Sequence, residues 1–128
     1  MRILLDTCTF LWDAEGSARL TATARDLIED PANDVFLSAA SAWEIAVKSA
    51  LGRLPLPEPA SRFVPRARDA LGVRALPIDE EATLMVASLP MLHCDPFDRT
   101  LVAQALTADL VILTPDEGIA AYPVRTRW

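Results

Sequence analysis

A chain of 128 residues fits one domain with a single buried core, and a composition 52% hydrophobic and 23% charged is that of a globular protein. A formal charge of −6 has the wrong sign for gripping a polyanion through bulk electrostatics. No apolar run approaches the roughly 18 residues that span a bilayer, and Asp6 interrupts the first apolar run too soon for a signal peptide. The expectation is a cytoplasmic protein without membrane contact, with Cys8 and Cys94 as free thiols.

In chain order, Arg2–Leu5 is a short apolar run that reads as a buried strand ending at Asp6. Thr21–Asp30 carries a helical stripe (Ala24, Leu27, Ile28) behind a threonine in cap position. Val35–Ser38 reads as a second strand and Ser41–Leu51 as a helix closed by Gly52. Leu54–Pro59, with three prolines, is a loop. Ala60–Leu71 is a helix in which Pro65 must sit in the first turn or split it, and Gly72 stops it before a third strand, Val73–Leu76. Asp79–Leu89 is a helix with acids in its first turn, and Pro96–Ala108 another, opened by a proline at its first position. Leu110–Leu113 is a further strand, Asp116–Ala121 a short helix and Val124–Arg127 a last strand.

Strands alternating with helices imply an α/β fold with a mostly parallel sheet covered on both faces. Right-handed crossovers then bring the strand-to-helix turns to one edge of the sheet, where open α/β folds bind ligands. Asp6, Glu44, Asp116, and Asp95 together with Asp98, come to that edge from four distant segments. Gathered carboxylates repel unless a hard cation lies between them, and Mg²⁺, which takes oxygen ligands and keeps several waters, suits such a group. A cation held by such carboxylates would acidify a water and polarise a phosphoryl oxygen. Lys48, one turn after Glu44, is placed to touch phosphate.

Each acid also has a plainer reading. Ser41-Ala-Trp-Glu44 has capping-box spacing, and Glu44 and Lys48 stand four apart in the order of a surface ion pair. Asp116 suits a turn or a cap. Asp95 and Asp98 can be separated: Leu101, Val102 and Ala105 follow Asp98 at three, four and seven residues, which sets Asp98 at the head of a buried stripe. Asp95 precedes the opening proline and suits the cap, with a supporting role at the metal. The positive charge is nearly all arginine, and Arg62, Arg66, Arg68 and Arg74 lie close enough in sequence to form a phosphate-binding group or a solvated face. His93, the single histidine, reads as a hydrogen-bonding loop residue, and Cys8, Cys94 and His93 make a poor zinc set. Trp12, Trp43 and Phe97 read as core or dimer-interface residues.

The stretches LLDTCTFLW (Leu4–Trp12), SAASAWEIAVKSALGRLPLP (Ser38–Pro57), LPMLHCDPFDRTLVAQA (Leu89–Ala105) and LVILTPDEGIAAY (Leu110–Tyr122) together resemble the PIN-domain ribonucleases, and more narrowly the VapC-type toxins of prokaryotic toxin–antitoxin pairs. The resemblance implies one PIN-like α/β/α sandwich over residues 1–128 and Mg²⁺- or Mn²⁺-dependent endonucleolytic cleavage of RNA. It also implies inhibition by a small antitoxin, and a homodimer. It assigns Asp6, Glu44, Asp98 and Asp116 to the metal-binding acids, and Thr7 and Thr114 to hydroxyls beside the site that hold water. Cys8 departs from the family, where histidine is frequent. Two other classes compete: a non-catalytic RNA- or protein-binding module of the same fold, and a Mg²⁺-dependent phosphotransfer domain. The latter would want a second aspartate where Cys8 stands, or a lysine after a late strand, and Lys48 is the only lysine.

Overall fold

A computed structural model describes residues 1–93 and 95–128; the expectations placed on Cys94 lie outside them. Five strands form one all-parallel sheet: β1 (Arg2–Leu5), β2 (Asp34–Ser38), β3 (Arg74–Leu76), β4 (Val111–Leu113) and β5 (Thr126–Arg127), in the order β3-β2-β1-β4-β5. Central β1 pairs Leu4 with both Phe36 and Ile112. Its three apolar residues are fully buried, as a strand covered on both faces requires.

The pleat divides the core. Ile3, Leu5, Val35 and Leu37 point to one face, where they meet Phe10 of α1 (Thr7–Glu15), Ala24 and Ile28 of α2 (Ala22–Glu29), Ile45 of α3 (Ala39–Ala50), and Phe63 and Val64 of α4 (Ala60–Ala70). Leu4 and Ile112 point to the other, against Leu101, Val102 and Ala105 of α6 (Pro96–Ala108) and Ile119 of α7 (Glu117–Ala120). On that face α5 (Glu80–Met85) and a 3₁₀ turn (Val86–Ser88) pack beside α6. From β1 the chain moves outward to β2 and β3, then crosses back to β4 on the other side of β1. The carboxyl ends of β1 and β4 are therefore the switch point at which such sheets open a crevice.

Three expectations change. Helix α1 has no counterpart among the predicted elements. Its Thr-Cys-Thr-Phe-Leu-Trp sequence is a poor helix former, and burial of Thr7, Thr9 and Phe10 holds it in place, with the Thr9 hydroxyl bonded to the Leu113 carbonyl at 2.8 Å. Helix α3 starts directly after β2, capped by Ser38, whose hydroxyl accepts from the Ala40 N–H at 2.9 Å. Ser41 is therefore buried within the helix, and Glu44 sits in its second turn and not its first. The capping-box reading fails for that reason. Helix α4 runs unbroken through Pro65, which stands at its sixth position and not in its first turn. Among the described residues no helix is long and apolar enough to cross a membrane.

Candidate active site

At the carboxyl edge of the sheet Asp6, Glu44, Asp95, Asp98 and Asp116 line one open pocket of about 400 Å³, with Lys48 and Arg53 as its cationic side chains. Asp6 leaves the end of β1 in extended backbone as the N-cap of α1, but its carboxylate makes no capping bond. It turns instead to the neighbouring strand, where the Thr114 hydroxyl donates to its Oδ2 at 2.6 Å. Burial raises its pKa, partly offset by that bond and by others from Thr7 and Cys8.

Glu44 combines a place in the pocket with the ion pair that its spacing from Lys48 allows, made here by a buried carboxylate. It is buried in the pocket, accepts from the Thr7 hydroxyl at 2.7 Å, and pairs through Oε2 with Lys48 one turn later. Lys48 reaches that carboxylate from a half-exposed position, and the bond raises its pKa. Thr7 and Thr114 thus act first as donors that fix carboxylates.

Asp95 and Asp98 separate as the helical spacing requires. Asp95 caps α6, accepting from the Phe97 N–H at 2.9 Å. Asp98 is 8% exposed and heads the buried stripe of Leu101, Val102 and Ala105. Burial above all, then the charges of Asp6, Asp95, Glu44 and Asp116, push its carboxyl up to about 8. Asp116 caps α7 by accepting from the Gly118 N–H at 2.7 Å.

Every ligating atom of these acids is a hard oxygen, and five acids face two cations in one pocket. That set fits a hard divalent cation and repels a bare phosphate. One oxygen each of Asp98 and Asp116 and one ring nitrogen of His93 also lie within 4.8 Å of one another.

Other expectations resolve differently. The clustered arginines do not meet at the pocket: Arg66 pairs with Glu58 at 2.7 Å and Arg74 with Asp34 at 3.4 Å, and neither Arg62 nor Arg68 lines it. Arg53, just past the left-handed Gly52 that ends α3, does line it, and sequence reasoning passed it over. Cys8 points its thiol toward Asp6 at 3.5 Å, and burial with the Asp6 charge pushes its pKa up to about 12, so it stays protonated. Trp12 packs against the core, whereas Trp43 is 59% exposed and meets Phe97 edge-on at 4.9 Å.

The sequence model of the PIN domain family matches residues 3–124. Ribonuclease VapC16 of Mycobacterium tuberculosis (strain ATCC 25618 / H37Rv) is 44% identical over 69 residues, 51% of this chain and 49% of that protein, so the match spans about half the length of this relative. A DNA-bound VapBC from Salmonella typhimurium superposes with a TM-score of 0.69 at 13% identity, covering 99% of this chain and 97% of that one. A toxin–antitoxin complex from Klebsiella pneumoniae gives 0.63 at 19% identity, covering 98% and 96%. At these identities the structural likeness is one of fold.

Proposed function

This chain belongs to the PIN-domain family, and from that premise we propose that it is a Mg²⁺-dependent endoribonuclease, the toxin of a toxin–antitoxin pair acting in the cytoplasm. The observation that carries the reading is the pocket itself: acids from four segments, with Asp6, Glu44 and Asp98 buried, crowd together with too little positive charge beside them. A divalent cation relieves that repulsion and reverses the local field toward an incoming phosphodiester. The name of the relative, a ribonuclease, supports RNA as the substrate, and the solved VapBC and toxin–antitoxin complexes support a small antitoxin as the partner.

Asp6 and Asp98 are the residues that would hold the ion, with Asp116 and Glu44 beside them. When bound, the ion supplies Lewis-acid polarisation and an acidified water at neutral pH. The chain's own residues set the geometry. Thr114 fixes the rotation of the Asp6 carboxylate, and Thr7 fixes that of Glu44. Glu44 in turn holds the Lys48 ammonium at the pocket, where it and Arg53 meet the scissile phosphate and its neighbour. A homodimer is part of the same reading, and the exposed Trp43, edge-on to the half-buried Phe97, suits an interface.

Antitoxin-free protein is expected to cut RNA in millimolar Mg²⁺, to stop in EDTA and to resume when Mg²⁺ is restored. Asp6→Asn should stay folded, lose cleavage, and relieve the growth arrest caused by expression of the wild type. Cleavage that survives EDTA, or a soluble Asp6→Asn protein that remains toxic, contradicts the assignment. A folded wild type that binds RNA and never cuts it favours the non-catalytic module.

Asp95→Ala should lower metal-free stability by about 0.5–2 kcal/mol, the usual effect of losing a cap, while metal-dependent cleavage stays measurable. Urea unfolding in EDTA reads the first and the RNA assay the second. Loss of metal binding in Asp95→Ala with retention in Asp98→Asn would reverse the two roles.

A further inference from the structure

His93 has no part in the mechanism above, yet the fold builds it into the cluster. Its Nδ1 accepts a hydrogen bond from the Asp95 N–H at 3.0 Å. With Nδ1 occupied as an acceptor, the proton of the neutral ring lies on Nε2. Nε2 faces Asp98 Oδ2 at 3.5 Å, just beyond hydrogen-bond length, and contacts at such sites are often long before the site is loaded.

Two further features keep the ring there. A Cβ at position 118 would stand 2.6 Å from His93 Cδ2 and 2.9 Å from Asp116 Oδ1. Gly118 is not among the residues of positive φ, so its lack of a side chain serves clearance and not backbone conformation. Behind the loop, buried Arg99 donates to the carbonyls of Val86 and Pro90 and to the Tyr122 hydroxyl, each at 2.9 Å, and Tyr122 Oη lies 3.5 Å from the His93 carbonyl.

We infer that His93 is a positioning residue of the carboxylate cluster, which donates from Nε2 toward Asp98 on the side facing Asp116 and is not itself a metal ligand. The inference rests on the cation site proposed above. A histidine and two aspartates with ligand atoms this close would otherwise read as a site for a transition metal. The Asp95 N–H decides between the two: a ligating Nε2 needs its proton on Nδ1, where it would point at another N–H.

The test combines Mn²⁺ calorimetry on wild type, His93→Ala, His93→Gln and Gly118→Ala with imidazole-nitrogen NMR of the wild type, whose single histidine gives an unambiguous spectrum. His93→Ala is expected to weaken Mn²⁺ binding by about 10-fold or more, as loss of a partner behind a ligand usually does. Glutamine, whose side-chain N–H stands in for Nε2–H, should stay within about 3-fold of wild type, and Gly118→Ala, which displaces the ring, should resemble His93→Ala. The NMR should show a protonated Nε2 with and without Mg²⁺, and no cadmium–nitrogen coupling when Cd²⁺ is bound. Unchanged Mn²⁺ affinity in a folded His93→Ala protein would reduce His93 to a loop residue. A proton on Nδ1, or coupling of Cd²⁺ to Nε2, would make it a ligand; either result overturns the inference. If the wild type binds no Mn²⁺, the cation reading falls by itself, and the tautomer of the metal-free protein still decides the donor assignment.

Discussion

Replacing Asp98 with asparagine is expected to abolish RNA cleavage and, at the same time, to stabilise the metal-free protein at neutral and alkaline pH. Its carboxyl titrates at about 8 in the fold against an ordinary value of 3.8. Between those values the folded protein keeps a proton that the unfolded chain has released. Its contribution to stability is therefore fully present below 3.8 and is lost as pH rises through about 8. Each pH unit in that window removes up to about 1.4 kcal/mol. Asparagine has no proton to lose, so the variant's unfolding free energy in EDTA should fall less steeply with pH and exceed that of the wild type at pH ~8. Excess Mg²⁺ should reverse the order, because only the wild type gains from binding. Parallel pH profiles for the two proteins would mean that Asp98 is neither crowded nor buried as described.

Arg99→Ala should be the most destabilising change near the site, although Arg99 does not line the acidic pocket. Its guanidinium is buried and donates to three neutral oxygens, two of them backbone carbonyls of the segment Val86–Pro90. Truncation leaves those oxygens without their donor and is expected to cost about 3–5 kcal/mol. Lysine, a point charge without the planar fork, should recover only part of it. Urea unfolding reads the loss, and hydrogen exchange should show Val86–His93 losing protection first. A loss below about 1 kcal/mol would mean the clamp does not hold the loop.

The parts of this site that were legible in the sequence are those tied to helical spacing. Asp98 could be separated from Asp95 because Leu101, Val102 and Ala105 fix which side of α6 is buried and Pro96 fixes where it begins. Asp6 was legible as an acid ending a buried run. Glu44 was found, but its place in the helix was not: Ser38 and Ser41 both suit a cap, and only the end of β2 chooses between them. Helix α1 was hidden because its residues favour helix only once they pack under β1 and β4. The arginines near residue 66 were neighbours in sequence alone, whereas Arg53 reaches the pocket through a left-handed turn at Gly52 that carries no chemical signature of its own. The contacts of His93, Gly118 and Arg99 are tertiary, and no spacing in the chain announces them.

That the crowded acids form a cation site is tested by calorimetric titration of Mg²⁺ into the antitoxin-free protein at pH ~7, in two buffers of different ionisation enthalpy. Asp98 carries its proton at that pH, so binding should release close to one proton per ion, seen as a heat that changes with the buffer. Asp98→Asn should show neither the binding nor the proton. No binding at millimolar Mg²⁺, or equal binding and proton release in wild type and Asp98→Asn, would contradict it.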